Sequence, residues 1–156
     1  MIVYRTEKID QCIAAILPLM SDHASEMNLA DRTDPDVDLY RMMEKYGVLQ
    51  IVTAREDGEL LGYCIVMISR ASQRKNVIEA QGDMYYLAPH ARRGWVGVRL
   101  LQHSIDLLKA KGIKTFRFFT SSEFDTGPIL RYLGFEQTGA IYTMDTDHAA
   151  CRRHYS

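Results

Sequence analysis

The most constraining stretch of this chain is an apolar, aromatic run that ends at a proline and leads through two arginines and two glycines into a helix. It reads MYYLAPHARRGWVGVRLL over residues 84–101. Gly94 and Gly97 let the backbone turn tightly and approach a ligand closely. The first helical turn directs free N–H groups and the positive end of the helix dipole to the same place, where Arg92 and Arg93 add charge. We therefore predict a site for a phosphate or pyrophosphate; the alternative is an ordinary strand-to-helix turn.

Apolar spacing and turn residues divide the rest of the chain into further elements. In order, we predict a strand at 2–5, a helix capped by Thr6 with apolar residues from 9 to 20, an irregular stretch at 21–34, a helix capped by Asp34 and ending at Gly47, a hairpin of strands 48–54 and 60–68, a strand at 77–88, a helix from the glycine turn to Gly112, a strand at 114–120, a short helix between 126 and 135, and a last strand at 140–145. This β-α-α-β-β-β-α-β-α-β order predicts an α/β fold with a central mixed sheet flanked by helices.

Composition excludes several classes of protein. The 156 residues carry a net charge of −1, so the chain as a whole has no basic surface of the kind that binds nucleic acid. No apolar run approaches the ~20 residues of a membrane span, and the N-terminus lacks the layout of a signal peptide. We expect one cytoplasmic domain over 1–156, with its core at about 2–145 and a polar tail at 146–156.

The cysteines and histidines predict no metal site. Three cysteines are too few and too scattered for a disulfide framework, and Cys12 and Cys64 lie in apolar patterns that indicate core positions. Near the C-terminus, the spacing of His148, Cys151 and His154 matches no closed zinc site, and a fourth ligand is missing.

Three motifs resemble the GNAT superfamily of acetyl-coenzyme A-dependent N-acetyltransferases. The stretch from Leu87 to Gly97 is similar to the family's strand-proline-Arg/Gln-x-x-Gly-x-Gly/Ala loop, which binds the coenzyme's pyrophosphate. The motif Leu133-Gly134-Phe135 is similar to the end of the family's fourth helix, and the Asp57-Gly58 hairpin is a weaker match. The resemblance covers residues 2–145 and implies the GNAT fold with acetyl-coenzyme A as co-substrate. It implies coenzyme binding by Tyr86, Leu87, Arg92, Arg93, Gly94, Trp95, Val96, Gly97 and Val98.

The chain departs from the family pattern at three places. Trp95 occupies a position where glycine is common, although its backbone N–H can still serve a phosphate. Leu130 occupies the place of a tyrosine that many members use as general acid, and Tyr132 follows two residues later on a different face. The asparagine often found after the preceding strand is also absent, and residues 121–123 (Ser-Ser-Glu) stand there.

Acetyl transfer to an amine requires a base, an oxyanion donor and in some cases an acid. An alkylammonium with a pKa of ~10.4 is almost fully protonated near neutral pH, so a carboxylate or a water chain must take its proton. The resemblance implies the Leu87 N–H as the oxyanion donor, and it makes Asp83 the first candidate for the base because several small-amine acetyltransferases have an acidic residue at this place, four residues before the donor. Glu79 is the second candidate, because regular strand alternation places it on the same face. Tyr132, Ser122 and water are candidates for the acid.

An acidic segment suggests the charge of the acceptor. Residues 22–38 hold six acidic side chains against Arg32, and in the family this connection helps to form the acceptor pocket. An acidic wall would favour a cationic acceptor, although helix capping also explains several of these residues. We expect direct acetyl transfer to a primary amine of a small, cationic acceptor. The alternatives are a protein lysine or N-terminal acetyltransferase and a catalytically silent coenzyme-binding or protein-binding module. A homodimer is left open.

Overall fold

Five strands and four helices make up the fold in this computed structural model, which describes residues 1–29 and 33–146. In chain order they are β1 (Ile2–Thr6), α1 (Ile9–Glu26), α2 (Val37–Lys45), β2 (Leu49–Glu56), β3 (Glu59–Arg70), β4 (Ile78–Leu87), α3 (Val96–Ala110), β5 (Thr115–Phe118) and α4 (Gly127–Tyr132). A single 3₁₀ turn at Pro89–Ala91 joins β4 to the loop before α3.

The strands form one mixed sheet in the order β1-β2-β3-β4-β5. The first four strands are antiparallel neighbours, whereas β4 and β5 run parallel. The parallel pairing covers only four residue pairs and ends where Gly82 meets Phe118. The remaining five residues of β4 continue without β5, so the two strands diverge after this point.

A β-bulge lies where β4 leaves β5. Gly82 pairs with Val66 and Met84 pairs with Ile65, so Asp83 is the additional residue of β4. A bulge bends its strand and re-aims side chains, and this one turns the end of β4 away from β5.

Two apolar layers cover the sheet. Tyr85 and Leu87 pack into the layer under α3 and α4, whereas Met84 and Tyr86 pack into the layer under α1 and α2. The expected core positions of two cysteines are confirmed, with Cys12 in the α1 layer and Cys64 in the α3 layer. Burial raises the pKa of both thiols to about 12, so neither forms a thiolate nucleophile near neutral pH.

The first helix differs from the sequence prediction at both ends. Its N-cap is Lys8 rather than Thr6, and the helix continues through residues 21–26, which were predicted to be irregular. The continuation follows from packing, because His23 and Ala24 are buried and extend the apolar face that Ile16 and Met20 begin. Pro18 lies inside this helix without ending it.

Two other predicted elements also differ. Asp36, not Asp34, caps α2 by accepting a hydrogen bond from the Leu39 N–H at 2.9 Å. The predicted last strand at 140–145 is not formed, and that stretch is irregular. Its large apolar side chains find no buried surface, since Ile141 and Tyr142 are 64% and 94% exposed. The apolar residues at 140–145 therefore predicted a strand, but the described part of the fold provides no surface that buries them.

Within the described part of the chain, no helix is long and apolar enough to cross a membrane. The same residues contain no group of three or more side chains placed to hold a metal ion. His148, Cys151 and His154 lie outside the described residues.

Candidate active site

The last residues of β4 direct backbone donors into the opening between β4 and β5. The Ala88 N–H donates to the Leu61 carbonyl at 2.8 Å, on the β3 side of β4. Because successive residues of a strand direct their N–H groups to opposite sides, the Leu87 N–H points to the other side, into the opening. Leu87 therefore stays a candidate for the oxyanion donor.

The first turn of α3 faces the same opening. Gly94 turns the chain with φ of +54°, and the helix begins at Val96. The Arg99 N–H makes a backbone hydrogen bond to the Trp95 carbonyl at 2.8 Å, so the N–H groups of Gly97 and Val98 come before it in the helix. Amides in this position, together with the helix dipole, form an anion site.

A cavity of about 590 Å³ lies between the end of β4, the start of α3 and the connection from β5 to α4. Leu87, Val98, Phe124 and Ile129 provide apolar walls, and the glycine turn closes one end. Thr126 also lines it, and its buried hydroxyl makes no hydrogen bond within the described residues. The cavity therefore suits a long ligand with an apolar arm that contains polar groups and a phosphate at one end.

Packing restricts the residue at position 97 to glycine. A Cβ added there would lie 2.6 Å from the Tyr85 hydroxyl, closer than real contacts allow. The sequence predicts a tight turn and the approach of a ligand at this glycine, and the structure shows that it also lets α3 approach β4.

Replacing Gly97 with alanine is expected to destabilise the fold by about 1–3 kcal/mol, because the new methyl group overpacks the contact with Tyr85. Urea unfolding should show a lower midpoint than the wild type. Gly139→Ala is the matched control, since a Cβ at Gly139 meets nothing within 4 Å. Equal midpoints for the two variants would contradict this prediction.

The two arginines of the loop have different partners. Arg92 Nε donates to the Leu87 carbonyl at 2.9 Å, and its Nη2 contacts both carboxylate oxygens of Glu26 at 2.8 and 2.9 Å. Arg93 is more exposed and pairs with Glu56 at 2.9 Å. Both line the cavity, but the guanidinium of Arg92 is already bound within the protein.

Asp83 lies at the point where β4 and β5 diverge. Its exposed carboxylate accepts a hydrogen bond from the Tyr40 hydroxyl at 2.8 Å, and the same hydroxyl lies 4.0 Å from Met84 Sδ. The bulge thus turns Asp83 and Met84 toward the same helix, α2. Burial and the neighbouring Asp83 carboxylate raise the pKa of Tyr40 well above its usual value, so Tyr40 stays a proton donor to Asp83.

The structure separates Glu79 from the opening. It lies eight residues before Leu87, or about 26 Å along an extended strand. Arg117 and Arg74 contact its carboxylate at 2.6 and 2.8 Å, and their hydrogen bonds hold the pKa of Glu79 below its usual value. A carboxylate held in this way is a poor base, and the geometry does not bring Glu79 to the site.

Both side-chain candidates for the acid are exposed. Tyr132 is 65% exposed and packs against Trp95, with ring centroids 5.2 Å apart. Ser122 is exposed in the connection between β5 and α4. Leu130, in the place of the family's tyrosine, is buried in the core layer under α3 and has no proton to give.

The acidic segment is less uniform than its composition indicates. Glu26 ends α1 and pairs with Arg92, and Asp38 pairs with Arg41. Asp36 caps α2, whereas Asp22 is exposed on α1. Asp34 is exposed just before the cap, and Asp31 and Arg32 lie outside the described residues. Half of the predicted acidic wall therefore serves local structure.

Solved structures of similar fold include several acetyltransferases. An aminoglycoside acetyltransferase from an uncultured soil metagenomic sample matches with a TM-score of 0.75 at 14% identity, covering 93% of this chain and 98% of that one. A ribosomal-protein-alanine N-acetyltransferase from Brucella melitensis biovar Abortus 2308 matches at 0.71 and 12% identity, covering 92% and 98%. A predicted acetyltransferase with acetyl-CoA from Clostridium acetobutylicum matches at 0.66 and 14% identity, covering 93% and 96%. At these identities the likeness shows the fold.

Among curated proteins, no sequence matches the chain significantly. A sequence profile of the Acetyltransferase (GNAT) family matches residues 17–135, which hold most of the chain and include the bulge, the glycine turn and α4. The chain therefore belongs to the GNAT acetyltransferase family and is an acyltransferase.

Proposed function

We propose that this protein transfers the acetyl group of acetyl-coenzyme A directly to a primary amine of a small, positively charged acceptor. The observation that carries the proposal is the cavity, which joins an anion site at the start of α3 to the Leu87 N–H at the end of β4. Both ends of the cavity fit a single ligand. This ligand would carry a pyrophosphate, an apolar arm with amides, and a reactive acyl group.

Acetyl-coenzyme A suits the cavity from one end to the other. Its pyrophosphate would meet the N–H groups of Gly97 and Val98, with Arg93 beside them. Its pantetheine arm would lie against Phe124 and Ile129, where the hydroxyl of Thr126 has room for an amide partner. The family membership and the acetyl-CoA in one structural neighbour support the same ligand.

In the proposed reaction Asp83 first takes a proton from the acceptor ammonium, directly or through water. The neutral nitrogen then attacks the acetyl carbonyl, whose oxygen becomes negative and accepts a hydrogen bond from the Leu87 N–H. The carbon–sulfur bond then breaks, the nitrogen releases its second proton to water, and Tyr132, Ser122 or water supplies a proton to the leaving thiolate. Direct transfer is supported because the buried thiols of Cys12 and Cys64 are unsuited to form an acyl-enzyme.

Exposed acidic side chains indicate the charge of the acceptor. Asp22, Asp34 and Asp83 are exposed on the α1 and α2 side of the sheet, and they support an acceptor with positive charge beyond the reacting amine. The structural neighbours include aminoglycoside acetyltransferases and a ribosomal-protein-alanine N-acetyltransferase. A protein acceptor is therefore the second candidate.

A panel of acceptors tests the proposal. Turnover of acetyl-coenzyme A is measured with polyamines, aminoglycosides, neutral amines, and peptides that carry a lysine or a free N-terminus. We expect the highest kcat/KM for a small polycation, with a decrease at high salt because exposed charges are screened. Highest activity with a peptide would favour the protein alternative. Coenzyme binding without turnover of any acceptor would favour a catalytically silent module.

Trp95 is proposed to stack on the adenine of the coenzyme. Its ring is 53% exposed, lines the cavity beside Gly94 and is supported by Tyr132. Trp95→Ala is expected to raise the KM for acetyl-coenzyme A about fivefold, since base stacking is worth about 1 kcal/mol or more. Acetyl-pantetheine, which lacks the adenosine, should be unaffected. Equal effects on both donors would contradict this role.

Two variants control this experiment. Trp95→Phe keeps an aromatic ring and should retain most of the affinity. Tyr132→Phe keeps the supporting ring and removes only the hydroxyl, so a loss of kcat in this variant would identify Tyr132 as the acid.

A further inference from the structure

We infer that Arg92 is a positioning residue that fixes the end of β4 and the width of the opening, not a ligand of the coenzyme's phosphates. The inference rests on the proposed function, because Leu87 at this end of β4 is the residue proposed to polarise the acetyl carbonyl. It also adds Glu26 to the residues on which the reaction depends.

Arg92 holds the peptide unit that follows Leu87. Its Nε donates to the Leu87 carbonyl at 2.9 Å, while the Ala88 N–H of the same unit donates to the Leu61 carbonyl at 2.8 Å. Because a peptide unit is planar, holding both of its polar groups fixes its orientation. This constrains the backbone of Leu87, and with it the direction of the Leu87 N–H.

The Nη2 atom of Arg92 links the end of β4 to α1. Arg92 Nη2 contacts both oxygens of Glu26, the last residue of α1, and the Tyr86 hydroxyl donates to the same carboxylate at 2.6 Å. Burial acts to raise the pKa of Glu26, but the hydrogen bonds from Tyr86 and Arg92 outweigh it and hold the pKa below its usual value. The ionised Glu26 carboxylate thus neutralises the positive charge of Arg92, which would otherwise be free to bind a phosphate.

The same side chain lies across the opening. Its Cζ is 5.3 Å from the ring centroid of Tyr86 on β4 and 4.9 Å from that of Phe124 in the connection after β5. Both distances are in the range of cation–π contacts. Arg92 therefore contacts α1, β4 and the segment that follows β5, and it sets their separation beside the cavity.

The planar fork of arginine is needed for this arrangement. Lysine keeps the positive charge but has one ammonium group, so it cannot contact the Leu87 carbonyl, Glu26 and both rings together. A phosphate ligand depends mainly on charge, whereas a positioning residue depends on geometry. Lysine at this position therefore distinguishes the two roles.

The test compares Arg92→Lys and Glu26→Gln with Arg93→Gln. For each variant, kcat and the KM for acetyl-coenzyme A are measured with the best acceptor, and coenzyme affinity is measured by fluorescence. Trp95 is the only tryptophan in the chain and lies in the loop, so its emission reports binding without turnover. Thermal unfolding shows whether each variant is folded at the assay temperature.

For Arg92→Lys and Glu26→Gln we expect kcat to fall about tenfold, with coenzyme affinity within twofold of the wild type. Arg93→Gln, which removes an exposed charge beside the anion site, is expected to weaken coenzyme affinity instead. The inference is overturned if Arg92→Lys keeps the parental kcat, if it loses only thermal stability, or if Glu26→Gln binds the coenzyme more tightly with unchanged kcat. A wild-type protein that turns over no acceptor would instead refute the proposed function.

Discussion

Replacing Asp83 with asparagine is expected to lower the rate of acetyl transfer about 100-fold near neutral pH, while coenzyme affinity is retained. The carboxylate lies at the bulge where β4 leaves β5, about 13 Å along the strand from Leu87. Asparagine has nearly the same shape and can still accept the hydrogen bond from Tyr40, but it cannot take a proton from the acceptor amine. A lower rate in Asp83→Asn is therefore due to the loss of the base and not to a change in the fold.

The pH dependence makes this prediction specific. The defect of Asp83→Asn should shrink as the pH rises toward ~10.4, because the acceptor amine then loses its proton without help. Glu79→Gln is the matched change on the same strand, at a carboxylate that Arg74 and Arg117 hold away from the opening. It should keep the parental rate. An Asp83→Asn variant as fast as the wild type at every pH would remove Asp83 from the mechanism.

Local patterns were sufficient to predict most of the fold. Apolar residues and turn residues predict the four helices and five strands that the structure describes, because the apolar side chains that mark most of these elements are buried. The hairpin turn at Asp57 and Gly58 is confirmed, with φ of +49° and +86° at the two positions. The family resemblance, carried by the loop from Leu87 to Gly97, is also confirmed.

Element ends depend on partners that local patterns do not reveal. The first helix continues past Met20 because His23 is buried there. Its ring stacks on the ring of Tyr86, a residue of β4 far along the chain, with ring centroids 4.7 Å apart. At the other extreme, Ile141 and Tyr142 have the composition of a strand but remain exposed. Periodicity indicates which face an element offers, but not whether a surface exists to receive it.

The candidate site also contains contacts between distant residues that local patterns do not reveal. The resemblance implies that Arg92 binds the coenzyme, whereas in the structure its guanidinium contacts Glu26, 66 residues away. Tyr40, whose hydroxyl donates to Asp83, lies 43 residues from it in the chain. No spacing rule links such residues, because the sheet brings them together. The glycine turn and the start of α3, where we propose the phosphate site, could be predicted because the whole turn lies within one short segment.

At the glycine turn, phosphate binding can be tested with two variants that differ by a single charge. Gly94 lines the cavity with φ of +54°, and a Cβ added there meets nothing within 4 Å. Asparagine and aspartate tolerate this conformation better than other residues with side chains. The chain itself holds Asn28 at φ of +56° and Asp57 at +49°, so both types are accommodated elsewhere in this fold.

Gly94→Asp is expected to weaken acetyl-coenzyme A binding about 30-fold relative to Gly94→Asn, or ~2 kcal/mol, because a carboxylate would lie beside the pyrophosphate. The two variants share backbone cost and side-chain shape, so their difference isolates the charge. Titrations followed by Trp95 fluorescence or calorimetry give both affinities, and the gap should narrow at high salt. Acetyl-pantetheine, which has no pyrophosphate, should bind both variants equally. If the two variants bind acetyl-coenzyme A with equal affinity, no phosphate lies at the glycine turn, and the start of α3 is an ordinary helix N-terminus.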